Sequence, residues 1–67
     1  MKIFQERLKE LRKEKGLLQK DLAQTLKTTN SSISDWEKGR SQPDLQTLAN
    51  LARFFEVSVD YLLGLED

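Results

Sequence analysis

The sequence predicts an all-α domain of five short helices, and three observations predict it. Apolar residues recur at spacings of three and four along the chain, the period of a helix with one buried face. No stretch alternates apolar and polar with period two, so a sheet has no pattern to build on. Helix stop signals stand between the periodic stretches, at Gly16, at Lys27-Thr28-Thr29, at Gly39 through Pro43 and at Gly64.

Each element follows from local residues. Ile3 to Lys15 is a charged amphipathic helix whose Phe4, Leu8 and Leu11 face a core. Glu6 and Lys9, and Glu10 and Lys13, are spaced for ion pairs on its outer faces. Gly16 ends it. Leu22, Ala23 and Leu26 mark the apolar stripe of a second helix starting near Gln19, and Ile33 and Trp36 mark that of a third. Thr29 is a good N-cap for the third helix, able to accept from the N–H of Ser31 or Ser32, and Gly39 closes it. Arg40 to Pro43 is a loop. Asp44 caps a fourth helix, whose Leu45, Leu48, Ala49, Leu51, Ala52, Phe54 and Phe55 cover more than one face, as a central core helix requires. Ser58 caps a last helix, Val59 to Leu63. The expected core is Phe4, Leu8, Leu11, Leu22, Leu26, Ile33, Trp36, Leu48, Leu51, Ala52, Phe55 and Leu62, with Trp36 packed inside rather than presented as a stacking platform.

Composition narrows the function. Sixty-seven residues make one small domain, which buries about 60% of its unfolded surface. There is no cysteine, hence no disulfide and no thiolate metal site. No apolar run has the length of a membrane span or a signal-peptide core, so a cytoplasmic location is expected. The chain has neither His nor Cys and lacks phosphate-loop, dinucleotide and zinc motifs, so catalysis, cofactors, metals and small-molecule ligands have no support. The formal net charge is zero, but its distribution is uneven. Residues 1–40 carry ten basic and six acidic residues, a net +4; residues 41–67 carry Arg53 and five acidic residues, a net −4. A domain with one nucleic-acid-facing side shows such an asymmetry.

The third helix has an unusual outer face. Asn30, Ser31, Ser32 and Ser34 are short, polar and mediocre helix formers. Short donors and acceptors at a helix start suit close approach to base edges and phosphates. They are equally compatible with plain capping and surface roles.

Leu17–Gly39 resembles the helix-turn-helix of the Cro/CI-type (XRE-type) bacterial and phage repressor family. The resemblance runs through Gln19, Leu22-Ala23, Leu26, Thr29, Ile33, Trp36, Glu37 and Gly39. It continues outside the motif in Leu11-Arg12, Gly16-Leu17, Pro43, Leu48, Leu51-Ala52 and Val57 to Gly64, nearly the whole chain. It implies a lambda-repressor-like domain over residues 1–67, with the motif at about 18–39, that binds palindromic double-stranded DNA as a homodimeric repressor.

The resemblance also implies roles. Arg12 and Glu37 are expected to form a structural salt bridge, with Arg12 also touching phosphate. The DNA-binding set is Arg12, Gln19, Lys20, Thr28, Thr29, Asn30, Ser31, Ser32, Ser34, Asp35, Lys38 and Arg40. Asn30, Ser31 and Asp35 match the base-reading positions; Asn30 suits adenine and Asp35 suits cytosine N4, although Asp35 could instead pair with Lys38 one turn on. Gln19, Lys38 and Arg40 are expected on phosphates. Val57, Tyr61 and Leu65 are the expected dimer interface. Five positions depart from the family pattern: Leu18 cannot act as a side-chain N-cap, a loss of about 1 kcal/mol, Lys27 and Glu56 stand where glycine is preferred, Thr28 where a small aliphatic is common, and Asp35 where Gln, Arg or Lys is frequent. An antitoxin-like or anti-regulator protein-interaction module of the same fold is the alternative. The ending at Gly64-Leu65 also resembles the point where longer relatives enter a linker.

Overall fold

A computed structural model describes residues 2–66. Among them are five helices and no strand: α1 Lys2–Glu14, α2 Gln19–Leu26, α3 Asn30–Lys38, α4 Leu45–Phe55 and α5 Val59–Leu63. The predicted fold class holds, and α1 begins and ends one residue earlier than its periodicity suggested. The α2–α3 pair packs as a helical corner; α1 braces α3 on one side and α5 on the other, while α4 closes against α2 and α5.

The core is Phe4, Leu8, Leu22, Ala23, Ile33, Trp36, Leu51, Ala52, Phe55 and Leu62. Trp36 is buried, as expected. Leu11, Leu26 and Leu48 were expected inside but are only partly buried at its margin, while Ala23 is fully enclosed. Leu45 opens α4 one residue after the cap and lies 85% exposed.

The helix ends account for the sequence departures. Leu18 provides no side-chain cap. Asp21 recovers half of a capping box, because its carboxylate accepts from the Leu18 N–H at 2.9 Å. Thr29 Oγ1 accepts from the Ser32 N–H at 3.0 Å and fixes the start of α3. Lys27 (φ 58°) and Glu56 (φ 58°) take the left-handed geometry usually left to glycine. Each carries strain of about 1 kcal/mol. The return is a closed helix end: at α2 the Thr28 N–H reaches Ala23 O at 2.9 Å, and at α4 the Val57 N–H reaches Ala52 O at 2.9 Å. The expected helix pairs Glu6–Lys9 and Glu10–Lys13 do not close. Among the described residues the ion pairs are Arg12–Glu37 and Asp35–Arg40. Exposed i,i+3 pairs gain too little to immobilise two long side chains.

Asp44 caps α4 by accepting from the Thr47 N–H at 2.8 Å, and that bond holds its carboxyl below the usual range. A carboxyl depressed in the folded state adds stability above its unfolded pKa. That contribution is lost as pH falls through the folded value. Asp44→Asn keeps the capping oxygen but removes the titration. Urea midpoints measured from neutral to acid pH are expected to fall less steeply for this variant than for the wild type. Parallel curves would show that the cap contributes nothing to acid sensitivity.

Candidate nucleic-acid interface

The site is built around α3. Ile33, Trp36 and Glu37 occupy its inner face and are buried. Ser31, Asp35 and Lys38, at i, i+4 and i+7, therefore lie on the outward face, with Ser32 and Ser34 flanking and Asn30 at the start. Asn30, Ser31 and Lys38 are exposed, and Ser32, Ser34 and Asp35 half-buried. Among the described residues the side chains of Asn30, Ser31 and Ser34 make no hydrogen bond within the protein, so their polar atoms are available to a partner. Ser32 differs, since its hydroxyl accepts from Thr29 Oγ1 at 3.0 Å.

A buried polar network fixes α3 in place. Arg12 Nε donates to Glu37 Oε2 at 2.6 Å and Nη2 to Oε1 at 3.1 Å. Arg12 Nη1 donates to Leu17 O at 2.8 Å. Gln19 Nε2 donates to Glu37 Oε1 at 3.1 Å. The network joins α1, the α1–α2 turn, α2 and the end of α3. The bonds to Glu37 raise the Arg12 pKa, so its charge is permanent. The Arg12–Glu37 pair is thus present as expected, and no polar side-chain atom in the described residues is buried without a partner.

The same network engages two side chains expected at the DNA interface. All three guanidinium nitrogens of Arg12 are occupied inside the protein and its side chain is 10% exposed. Arg12 is placed to hold α3 in position. Gln19 spends one amide N–H on Glu37 and keeps the second for an outside acceptor. Lys20, beside it, is exposed, and Thr28 and Thr29 lie at the turn that leads into α3.

Asp35 pairs with Arg40, at 3.7 Å, and not with Lys38. Gly39 is the cause. Its left-handed backbone (φ 79°) reverses the chain, so the Arg40 N–H bonds back to Asp35 O at 2.9 Å and carries the guanidinium over the carboxylate. Both side chains remain solvent-accessible. Spacing along an unbroken helix pointed to Lys38 and could not show this reversal.

At the far end, Val57 packs partly against the core, Tyr61 is half-buried and Leu65 is 72% exposed. Sequence reasoning missed Arg7. Its guanidinium lies 4.1 Å from the Tyr61 ring centroid and donates to the carbonyls of Tyr61 and Glu66, the latter at 2.9 Å. One face of the Tyr61 ring is thereby covered by its own chain.

The sequence that builds this arrangement, an anchored helix with a polar outer face set against a preceding helix, has matches among known proteins. The helix-turn-helix family pattern fits residues 8–62. The chain belongs to the XRE-type helix-turn-helix family. Membership sets this helix-turn-helix domain among DNA-binding folds rather than catalysts. It is 39% identical over 96% of its length to the transcriptional activator BcrR of Enterococcus faecalis, covering 31% of that protein. It is 41% identical over 91% of its length to the transcriptional regulator ImmR of Bacillus subtilis and 45% identical over 91% to the regulator DdrOP3 of Deinococcus deserti, covering 48% of each. The helix-turn-helix chain thus spans about a third to about half the length of these relatives. No described helix of this helix-turn-helix domain is long and apolar enough to cross a membrane.

Proposed function

We propose that the chain is the DNA-binding domain of a transcriptional repressor that acts in the cytoplasm and grips a palindromic operator as a homodimer. The outward polar face of α3 is the observation that carries this. The side chains of Asn30, Ser31 and Ser34 are unengaged, the inner face is fixed by Ile33, Trp36 and the Glu37 network, and Lys20, Lys38 and Arg40 are exposed. Asn30 and Ser31 read base edges, while Gln19, Lys38 and Arg40 hold phosphates without reading sequence.

Size supports two copies per site. The domain is 28 Å in its longest dimension. Successive major-groove half-sites are about 34 Å apart, so one copy covers one half-site. Residues 57–65 form the contact between copies, with Leu65 as an exposed apolar residue just after Gly64, against whose backbone the exposed Ile3 side chain lies. Selection of bound duplexes from a random pool, followed by footprinting, tests this. An inverted repeat with half-sites one helical turn apart is expected. A footprint over a single asymmetric half-site would refute the dimer, and a stoichiometric protein complex without any duplex selected would favour a protein-interaction role. Reporter expression from a promoter overlapping the selected site separates repression from the activation for which BcrR is named.

Asp35 is the test of base reading. Its pair with Arg40 is exposed and worth little to stability, about 0–1 kcal/mol. Asp35→Asn is expected to free Arg40 and remove a negative charge from the interface, so every duplex should bind more tightly at matched salt. A change confined to one base pair, by about 1–3 kcal/mol, would instead assign Asp35 to a cytosine.

A further inference from the structure

A second surface stands apart from the outward face of α3. Thr25, Leu26 and Lys27 at the end of α2 and Asn50, Arg53 and Phe54 on α4 line an open groove of about 400 Å³. Its floor is apolar, from Leu26 and the half-buried Phe54 ring. Lys15 Nζ sits 5.3 Å from the centroid of that ring. Two of the six lining residues, Lys27 and Arg53, are cations and none is acidic, while Lys15 adds a third cation against the Phe54 ring.

None of the three cations, Lys15, Lys27 and Arg53, forms an ion pair among the described residues; the two ion pairs there lie elsewhere. Arg53 is the one basic residue after Arg40 in a segment with five acidic ones, and it projects here. Its Nη1 makes a single long bond, 3.3 Å, to Asn50 Oδ1, leaving most of its donors unused. Lys27 brings its charge from a left-handed backbone position, where glycine would sit without strain.

We infer that this groove docks an acidic peptide segment carrying an apolar or aromatic anchor, supplied by a partner protein. The anchor covers Leu26 and Phe54, and its flanking carboxylates meet Lys15, Lys27 and Arg53. Charge complementarity selects the occupant: an apolar ligand alone leaves three cations partly desolvated and unpaired, and a basic one is repelled. Clustered cations around an apolar seat are a recurring way to recognise acidic motifs.

The probe is the synthetic peptide Asp-Asp-Phe-Asp-Asp-Leu, titrated into the isotope-labelled full chain while amide shifts are followed. Shifts clustered at Thr25, Lys27, Asn50 and Phe54, absent with the asparagine-substituted peptide, are expected. Arg53→Glu should weaken the peptide about tenfold or more at low salt. Arg53 is exposed, so the fold should tolerate the change. Lys27→Gly gives a second check with opposed readouts, since it relieves the backbone and should raise the melting temperature while weakening the peptide. Arg53→Glu should not alter affinity for the selected duplex by more than about twofold, because Arg53 lies on α4, away from the α3 face. No clustered shifts up to millimolar peptide, or peptide affinity unchanged in Arg53→Glu, overturns the inference. So does an equal loss of duplex binding in both variants, which would make the groove part of the DNA path.

Discussion

Glu37→Gln is expected to cost about 3–5 kcal/mol of folding stability, because it leaves a permanent charge on Arg12 buried without its counter-ion. A domain of 67 residues has a total stability of about 3–10 kcal/mol at typical values per residue. The change therefore consumes a third or more of what holds the fold. Glutamine keeps the shape and one acceptor, but its amide N–H₂ faces the guanidinium, and Gln19 loses a charged partner. Urea unfolding followed by circular dichroism measures the loss. Replacing Arg12 and Glu37 together by methionine removes both charges and should recover most of it. If the double variant is as unstable as the single one, packing rather than an uncompensated charge is the cause. An unchanged midpoint for Glu37→Gln alone would mean that the pair is not formed.

Ile33→Ala is expected to cost about 2–5 kcal/mol, the range for truncating an enclosed side chain. Ile33 is fully enclosed and is the first residue of α3 to enter the core. The loss should appear in duplex binding as well, since the outer face of α3 is held in place from its inner one. Ile33→Val, which removes one methyl group, should cost about 0.5–1.5 kcal/mol. A urea midpoint that ignores both truncations would contradict the placement of this side chain.

The helices were legible because their signals are local. The stripe Leu22–Ala23–Leu26, the cap Thr29 and the stop Gly39 lie within a turn or two of what they determine. The Arg12–Glu37 pair joins residues 25 positions apart, and only the family resemblance made it visible. Gln19 shows where reading ends. An amide at the start of α2 has two attractive acceptors, a phosphate outside and Glu37 inside. Which one it takes depends on how α2 packs on α3, a distance no spacing rule contains. Arg7 is the extreme case. Its carbonyl partners lie 54 and 59 positions away, and nothing beside it in sequence marks it as more than one charge among many on α1. The Asp35 partner was missed because a single glycine turned the chain between the expected and the actual cation.

The separation of the two faces of α3 has a consequence for how such a protein can change. Residues that hold the helix, Ile33, Trp36 and Glu37, share no hydrogen bond with Asn30, Ser31 or Ser34, which face outward. Exchanges at these three outer positions leave the interior untouched and are expected to alter stability by no more than about 0.5 kcal/mol. On the base-reading role proposed for this face, new sequence preferences are reachable through a connected series of folded intermediates, each able to be tried by selection without first acquiring a compensating change elsewhere. Duplicated copies of the gene could diverge toward separate targets along that route while inheriting one common scaffold.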